Sequence, residues 1–113
     1  MKTVTLSLSS TDTARRRLAA AFEGQRQDAY LSFASVELLW RVLTANRWRI
    51  LQAMTGQGPL SIREVARRLD RDVKSVHMDV KALVTAGLLN QSSSGVEFPF
   101  DSVRVDFTLS KAA

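Results

Sequence analysis

The sequence predicts a mainly α-helical domain with a small β-sheet, and three observations carry that prediction. Between residues 35 and 87 apolar residues recur at i, i+3 and i+4, and each run is preceded by a Ser, Thr or Asp suited to capping a helix. Towards both ends the pattern changes to strict alternation, as Val4, Leu6, Leu8 and again over Val103–Leu109, which is the period of a half-buried strand. With 113 residues, of which 45% are hydrophobic and 24% charged, the chain suffices for one ordinary globular domain with a short extension.

Taken in order, residues 2–8 read as a strand with Thr and Ser on its second face. "SSTDT" offers N-caps for a helix over "ARRRLAAAFEGQRQ", which ends near Gln27 and has a thin apolar stripe of Leu18, Ala21 and Phe22. Gly24 weakens its last turn, and "DAYLS" reads as a break. Ser35 then caps "VELLWRVL", with Val36, Leu39, Trp40 and Leu43 expected to be buried. Thr44 caps "ANRWRILQAMT", whose stripe is Trp48, Leu51 and Met54 with Ile50 beside it. "GQGPL" stops that helix. Ser61 and Glu64 form a capping box that opens "IREVARRL", with Ile62, Val65, Ala66 and Leu69 inward and Arg63, Glu64, Arg67 and Arg68 outward. After a three-residue link, Asp72 caps a helix that closes at Gly87, a residue suited to the left-handed C-terminal position. Its inward stripe is Val73, Val76, Val80, Leu83 and Val84. "LLNQ", the turn "SSSG" and "VEFP" form a hairpin, and the alternating C-terminal strand follows.

Two short helices joined by a tight turn, with a helix before and a hairpin after, make the layout of a winged helix-turn-helix. The chain therefore divides into an N-terminal strand-helix extension, 1–30, and a winged helix-turn-helix domain, 31–113.

The placement of charge says more than its sum. The net +5 resolves into +1 over residues 1–40 (five basic, four acidic), +5 over 41–81 (nine, four) and −1 over 82–113 (two, three), so the excess lies in the predicted helix pair. A solvated face mixes Glu with Lys. The outward side of the last helix instead offers Lys74, Ser75, Met78, Lys81, Ala82 and Thr85, which are short or cationic and allow close approach to a polyanion. Absence of cysteine removes disulfides and thiolate metal sites, and a single histidine, His77, leaves no metal set. No glycine-rich phosphate loop or hydrolytic triad spacing occurs, so neither an enzyme nor a cofactor is expected. No apolar run approaches the roughly 20 residues of a membrane span. "MKTVTLSLSS" lacks a signal peptide's apolar block, so a cytoplasmic location is expected.

The stretch "LTANRWRILQAMTGQGPLSIREVARRLDRDVKSVHMDVKALVTAGLLNQ" resembles the small winged-helix regulators of the MarR/ArsR superfamily. It is most similar to short bacterial and archaeal DNA-binding regulators with an R-L-x-R-D-x-x-x-V-H-x-D-V-K-x-L-x-x-x-G-L core. Their flanks are also present here, as "LSFASVELL" and "FPFDSVRVDFTL", so the likeness runs over residues 31–109. The resemblance implies a DNA-binding regulator, with Lys74, Ser75, His77 and Met78 at DNA-facing positions. Relatives often carry a basic residue where this chain has Met78. Some relatives look like antitoxins that repress their own operon.

On this reading the second helix of the pair enters the major groove. The candidate DNA contacts are Ser61, Arg63, Arg67, Arg71, Lys74, Ser75, His77, Met78, Lys81 and Ser93. Lys74 and Lys81 meet phosphates or guanine acceptors, or are plain solvated lysines. Ser75 bonds phosphate or base, and Arg71 aims at the backbone from the turn. His77 is either a half-buried structural residue or a phosphate contact. Met78 touches a thymine methyl or a protein partner. The wing tip "QSSSGVE" has no Lys or Arg, so Ser93 stands for hydroxyl contacts only, and three to five phosphates per subunit is the expected order of contact.

The function expected is a sequence-specific, double-stranded DNA-binding transcriptional regulator acting as a dimeric repressor or autorepressor. The rival expectation is a protein-interaction module, such as an antitoxin that binds a toxin through its N-terminal segment. The homodimer is expected to be held by the N-terminal segment and the C-terminal strand. In that picture Val4–Leu8 is an open strand that pairs with its equivalent or with Val103–Leu109 of either chain.

Overall fold

The structure is a computed structural model and describes residues 2–8 and 29–109. The helix expected over residues 14–27 lies outside the described residues. The elements run β1 (Thr3–Leu8), β2 (Ala29–Phe33), α1 (Val36–Val42), α2 (Ala45–Met54), α3 (Ile62–Leu69), α4 (Val73–Ala86), β3 (Asn90–Ser92), β4 (Gly95–Glu97) and β5 (Ser102–Asp106). Among the described residues this is a small α/β domain of four helices with two small sheets.

Local chemistry sets the helix boundaries. Each helix opens on an extended residue whose side-chain oxygen accepts from the backbone N–H three residues on: Ser35 from Leu38, Thr44 from Arg47, Ser61 from Glu64 and Asp72 from Ser75. α4 closes on Gly87 at φ 93°, whose N–H bonds back to Leu83 and Val84 carbonyls. α3 closes on Asp70 in the same left-handed region at φ 52°, and this cap makes the tight link into α4. The capping box at α3 is only half made. Ser61 Oγ takes the Glu64 N–H at 3.1 Å, while the Glu64 carboxylate turns to Arg67 and Arg68.

The core is one cluster that draws Leu39 from α1, Ile50, Leu51 and Met54 from α2, Val65 and Ala66 from α3, and Val76, Val80 and Leu83 from α4. Two predicted stripes are rotated from their expected positions. Trp40 is 58% exposed and Trp48 37%, so neither large ring is buried. On α2 the inward line is Arg47, Ile50, Leu51 and Met54, and Arg47 occupies the position that would otherwise carry Trp48 inward. Val73, also expected inside, is exposed at the first turn of α4.

The N-terminal strand departs most from expectation. It is the centre of a three-stranded parallel sheet in the order β2-β1-β5, not an open edge. Val4 pairs with Ala29 on one side and Val103 on the other; Leu6 pairs with Leu31 and Val105. Burial explains the central position. Val4 and Leu6 are wholly inaccessible and join the helical core, while Thr5 and Ser7 on the opposite face are also buried. "DAYLS", read as a break, contributes β2, whose Leu31 and Phe33 pack on the core. A short alternating segment with two half-apolar faces gives too weak a periodic signal to be recognised as a strand.

The hairpin β3–β4 forms as expected, with Asn90 opposite Glu97 and Ser92 opposite Gly95. Leu60 adds an antiparallel bridge to Val96 through two 2.8 Å hydrogen bonds. That approach requires glycine at 95: its φ is 123°, and a Cβ there would stand 2.5 Å from the Leu60 carbonyl oxygen.

A buried charge network ties the helices together. Asp79 of α4 accepts from Arg47 Nε of α2 at 3.0 Å and from Arg71 Nη2, in the α3–α4 link, at 2.8 Å. Arg47 Nη1 also donates to the carbonyls of Arg41 and Val42 at 3.1 and 2.9 Å, which satisfies the end of α1. The side chains of Asp79, Arg47 and Arg71 are only 16, 20 and 22% exposed. Removing the carboxylate leaves two mostly desolvated guanidinium groups facing one another. Asp79→Asn is therefore expected to cost about 2–4 kcal/mol in urea unfolding, whereas Arg63→Ala on the open surface stays within about 0.5 kcal/mol.

Candidate nucleic-acid interface

α4 presents an outward face assembled by its own periodicity. Lys74, Met78, Lys81 and Thr85 are exposed, and Ser75 and Ala82 are partly so. Met78 is 66% exposed. A cleft of about 530 Å³ runs along this face, lined by Val42 of α1 and by Met78, Lys81, Ala82, Thr85 and Ala86. On the other flank of Lys81 a smaller cleft of about 170 Å³ is lined by Ile62, His77, Val80 and Gln91. His77 is exposed, so the half-buried structural role is not the one it takes here.

Two acidic residues of α4 and its cap are engaged by intramolecular partners. Asp79 is the one carboxylate within α4, and both its oxygens are held by arginine. Asp72 accepts the Ser75 N–H at 2.9 Å as the N-cap, and that backbone hydrogen bond lowers its pKa. What remains open along the helix is cationic, apolar or hydroxylic.

The predicted arginines divide into two groups. Arg71 was expected to aim at a nucleic-acid backbone from the turn, but its Nη2 is committed to Asp79. Its Nη1 is buried without a hydrogen-bond partner among the described residues. Arg67 Nε donates to Glu64 Oε2 at 3.0 Å, and its Nη2 contacts Glu64 Oε1. Arg68 donates to the same carboxylate at 3.0 Å and to Gln57 Oε1 at 2.9 Å. Arg63, Lys74 and Lys81 have no ion-pair partner among the described residues. Ser61 is exposed, with Oγ engaged as the α3 cap, and Ser93 is exposed at the tip of the hairpin. The Arg47–Asp79–Arg71 network was missed from the sequence. The available signal was an isolated acid in an otherwise basic helix, flanked by arginines in each preceding element. Among the described residues no group of three or more His, Asp or Glu is placed to hold a metal ion, and no helix is long and apolar enough to cross a membrane.

Hydrogen bonds from Arg67 and then Arg68 lower the Glu64 pKa from 4.5 to about 2. A carboxyl depressed on folding stabilises the fold fully above its unfolded pKa and loses that contribution as pH falls through the folded one. Glu64 and Asp72 therefore contribute at neutral pH, and the Glu64 share disappears between pH 4.5 and about 2. Urea midpoints measured down that range are expected to fall, and to fall less steeply in Glu64→Gln.

Residues 42–105 match the family model HVO_A0114. The match starts at the end of α1, spans α2, α3, α4 and the hairpin, and ends within β5, so it contains every member of the Arg47–Asp79–Arg71 network. No curated protein and no solved structure matches the chain. The family model spans more than half of the chain, which therefore belongs to the HVO_A0114 family.

Proposed function

We propose that the protein is a winged helix-turn-helix, double-stranded DNA-binding regulator that acts as a dimeric repressor. The observation that carries this reading is the exposed face of α4. Lys74, Ser75, Met78 and Lys81 stand open on one helix while its single internal carboxylate, Asp79, is held by Arg47 and Arg71. A helix entering the major groove is favoured by short or cationic side chains, since a carboxylate there is repelled by phosphate unless it accepts from a cytosine amino group. The order α3, left-handed link, α4, hairpin supports the same reading, with α4 as the groove helix and β3–β4 as the wing. The likeness to MarR/ArsR regulators over residues 31–109 adds to it. Chemical roles follow from position: Lys74 and Lys81 neutralise phosphates, Ser75 bonds phosphate or base, and Met78 offers an apolar contact of the kind a thymine methyl accepts.

The antitoxin reading retains less support in the form that relied on the N-terminal strand, because β1 is paired on both sides and its faces are buried.

Of the predicted cationic contacts, intramolecular pairing of Arg67, Arg68 and Arg71 leaves Arg63, Lys74 and Lys81 unpaired, the low end of the range expected from composition. Duplex DNA binding is expected to weaken with salt at a log–log slope of about −3 per subunit. Lys81→Ala should weaken binding to all sequences alike. Ser75→Ala or Met78→Ala should change sequence preference by about 1–3 kcal/mol per lost base contact, and Met78→Arg should strengthen non-specific binding. Titration of labelled duplexes selected from a random pool checks all of this. No binding at low salt, or four variants indistinguishable from the parent with folds intact by circular dichroism, overturns the reading.

A further inference from the structure

We propose that the free edge of β5 is where a second copy of this chain docks, antiparallel, so that two three-stranded sheets join into one of six strands. This specifies the dimer expected under the DNA-binding reading. Its test uses no DNA, so failure of one is distinguishable from failure of the other.

β5 pairs with β1 on one side, and no described strand pairs with its other side. Its outer peptide groups therefore offer a template for another strand. β5 is short and carries two charges, which guard an edge against unlike strands, while Val105 and Phe107 beside them are 39 and 38% exposed. Parallel register with Leu6 puts Val105 on the same side of the sheet as the helical core. There it lines, with Phe107, Trp40, Trp48 and Leu43 and with Arg49 and Gln52 among its polar residues, a mainly apolar groove of about 450 Å³. Trp40 packs edge-on against Phe107 at 6.2 Å, so the exposed rings and the strand form one continuous surface.

The identity of the occupant comes from the order of charges. β5 reads Ser-Val-Arg-Val-Asp, and Arg104 and Asp106, both exposed, flank Val105 symmetrically. When two such strands run antiparallel about a two-fold axis through Val105, Arg104 of each lies opposite Asp106 of the other. Val105 then meets its own equivalent, and Phe107 falls opposite Val103. All these pairs keep their faces, because antiparallel pairing joins residues of the same parity. Opposite charges directly across a strand pair attract, and any one-residue slip breaks both pairs. The pattern is thus complementary to itself, as an isologous interface requires. β2, the other edge strand, reads Ala-Tyr-Leu-Ser-Phe and has no charge from which to build such a pairing. In the joined sheet the two helical layers lie on the same side, so the groove holding Trp40 and Trp48 continues towards the axis from both copies.

Two measurements decide it. In sedimentation equilibrium at micromolar concentration the full chain should have the mass of two copies. Arg104→Asp alone and Asp106→Arg alone should each give one, and the double variant with both substitutions should return to two, because the exchange restores opposite charges across the axis. Second, the chain contains no cysteine, so Val105→Cys introduces a single thiol. Directly opposed residues of an antiparallel pair lie within disulfide reach. Mild oxidation should therefore convert Val105→Cys into a covalent dimer and leave Ser93→Cys in the hairpin tip monomeric. A wild-type chain of single mass, single reversals that remain dimeric, a double variant that stays monomeric, or equal cross-linking at 93 and 105 overturns the proposal.

Discussion

The helical layer depends on one carboxylate. Asp79 gathers Arg47 from α2 and Arg71 from the α3–α4 link, and Arg47 in turn satisfies the last carbonyls of α1. Four segments, α1, α2, the α3–α4 link and α4, therefore meet at a charge cluster that is mostly out of water. Such a cluster adds little to stability over an apolar filling of the same shape, but it is directional in a way that apolar packing is not. It fixes the angle at which α4 leaves the link, and hence where the outward face of α4 points. The same cluster accounts for the exposed tryptophan: Arg47 takes the inward position on α2, and Trp48 is left at the surface.

Electrostatics gives the basic middle of the chain two kinds of cation. Arg47, Arg67, Arg68 and Arg71 face Asp79 or Glu64, and their charge is largely compensated within the fold. Arg41, Arg49, Arg63, Lys74 and Lys81 have no ion-pair partner among the described residues. Net charge alone cannot separate these two groups, because pairing depends on which helices abut.

The sheet and the helices divide the molecule's surfaces between them. β1 is buried on both faces and paired on both sides, so it anchors the fold and has no edge to offer a partner. Among the described residues that leaves β5, with its alternating Arg104 and Asp106 and the Trp40–Phe107 contact beside it, as a strand with an unpaired edge next to exposed apolar surface. The outward face of α4 and the outer edge of β5 lie on separate elements and share no residues.

The sequence by itself determined whatever depends on near neighbours in the chain. Ser35, Thr44, Ser61 and Asp72 cap their helices because a cap bond spans three residues, and Gly87 closes α4 because few other residues tolerate its φ. The outward run Lys74, Ser75, Met78 and Lys81 was legible for the same reason, as helical period alone puts these residues on one side. Tertiary structure decided the rest. β1 became the central strand because Ser102–Asp106, almost a hundred residues away, lies along one side of it and Ala29–Phe33 along the other. Arg71 turned inward because Asp79 of α4 holds it, and Trp48 stayed outside while its neighbour Arg47 turned to the same carboxylate. Periodicity reports how apolar a face is; which face meets the core is set by partners that only folding brings near.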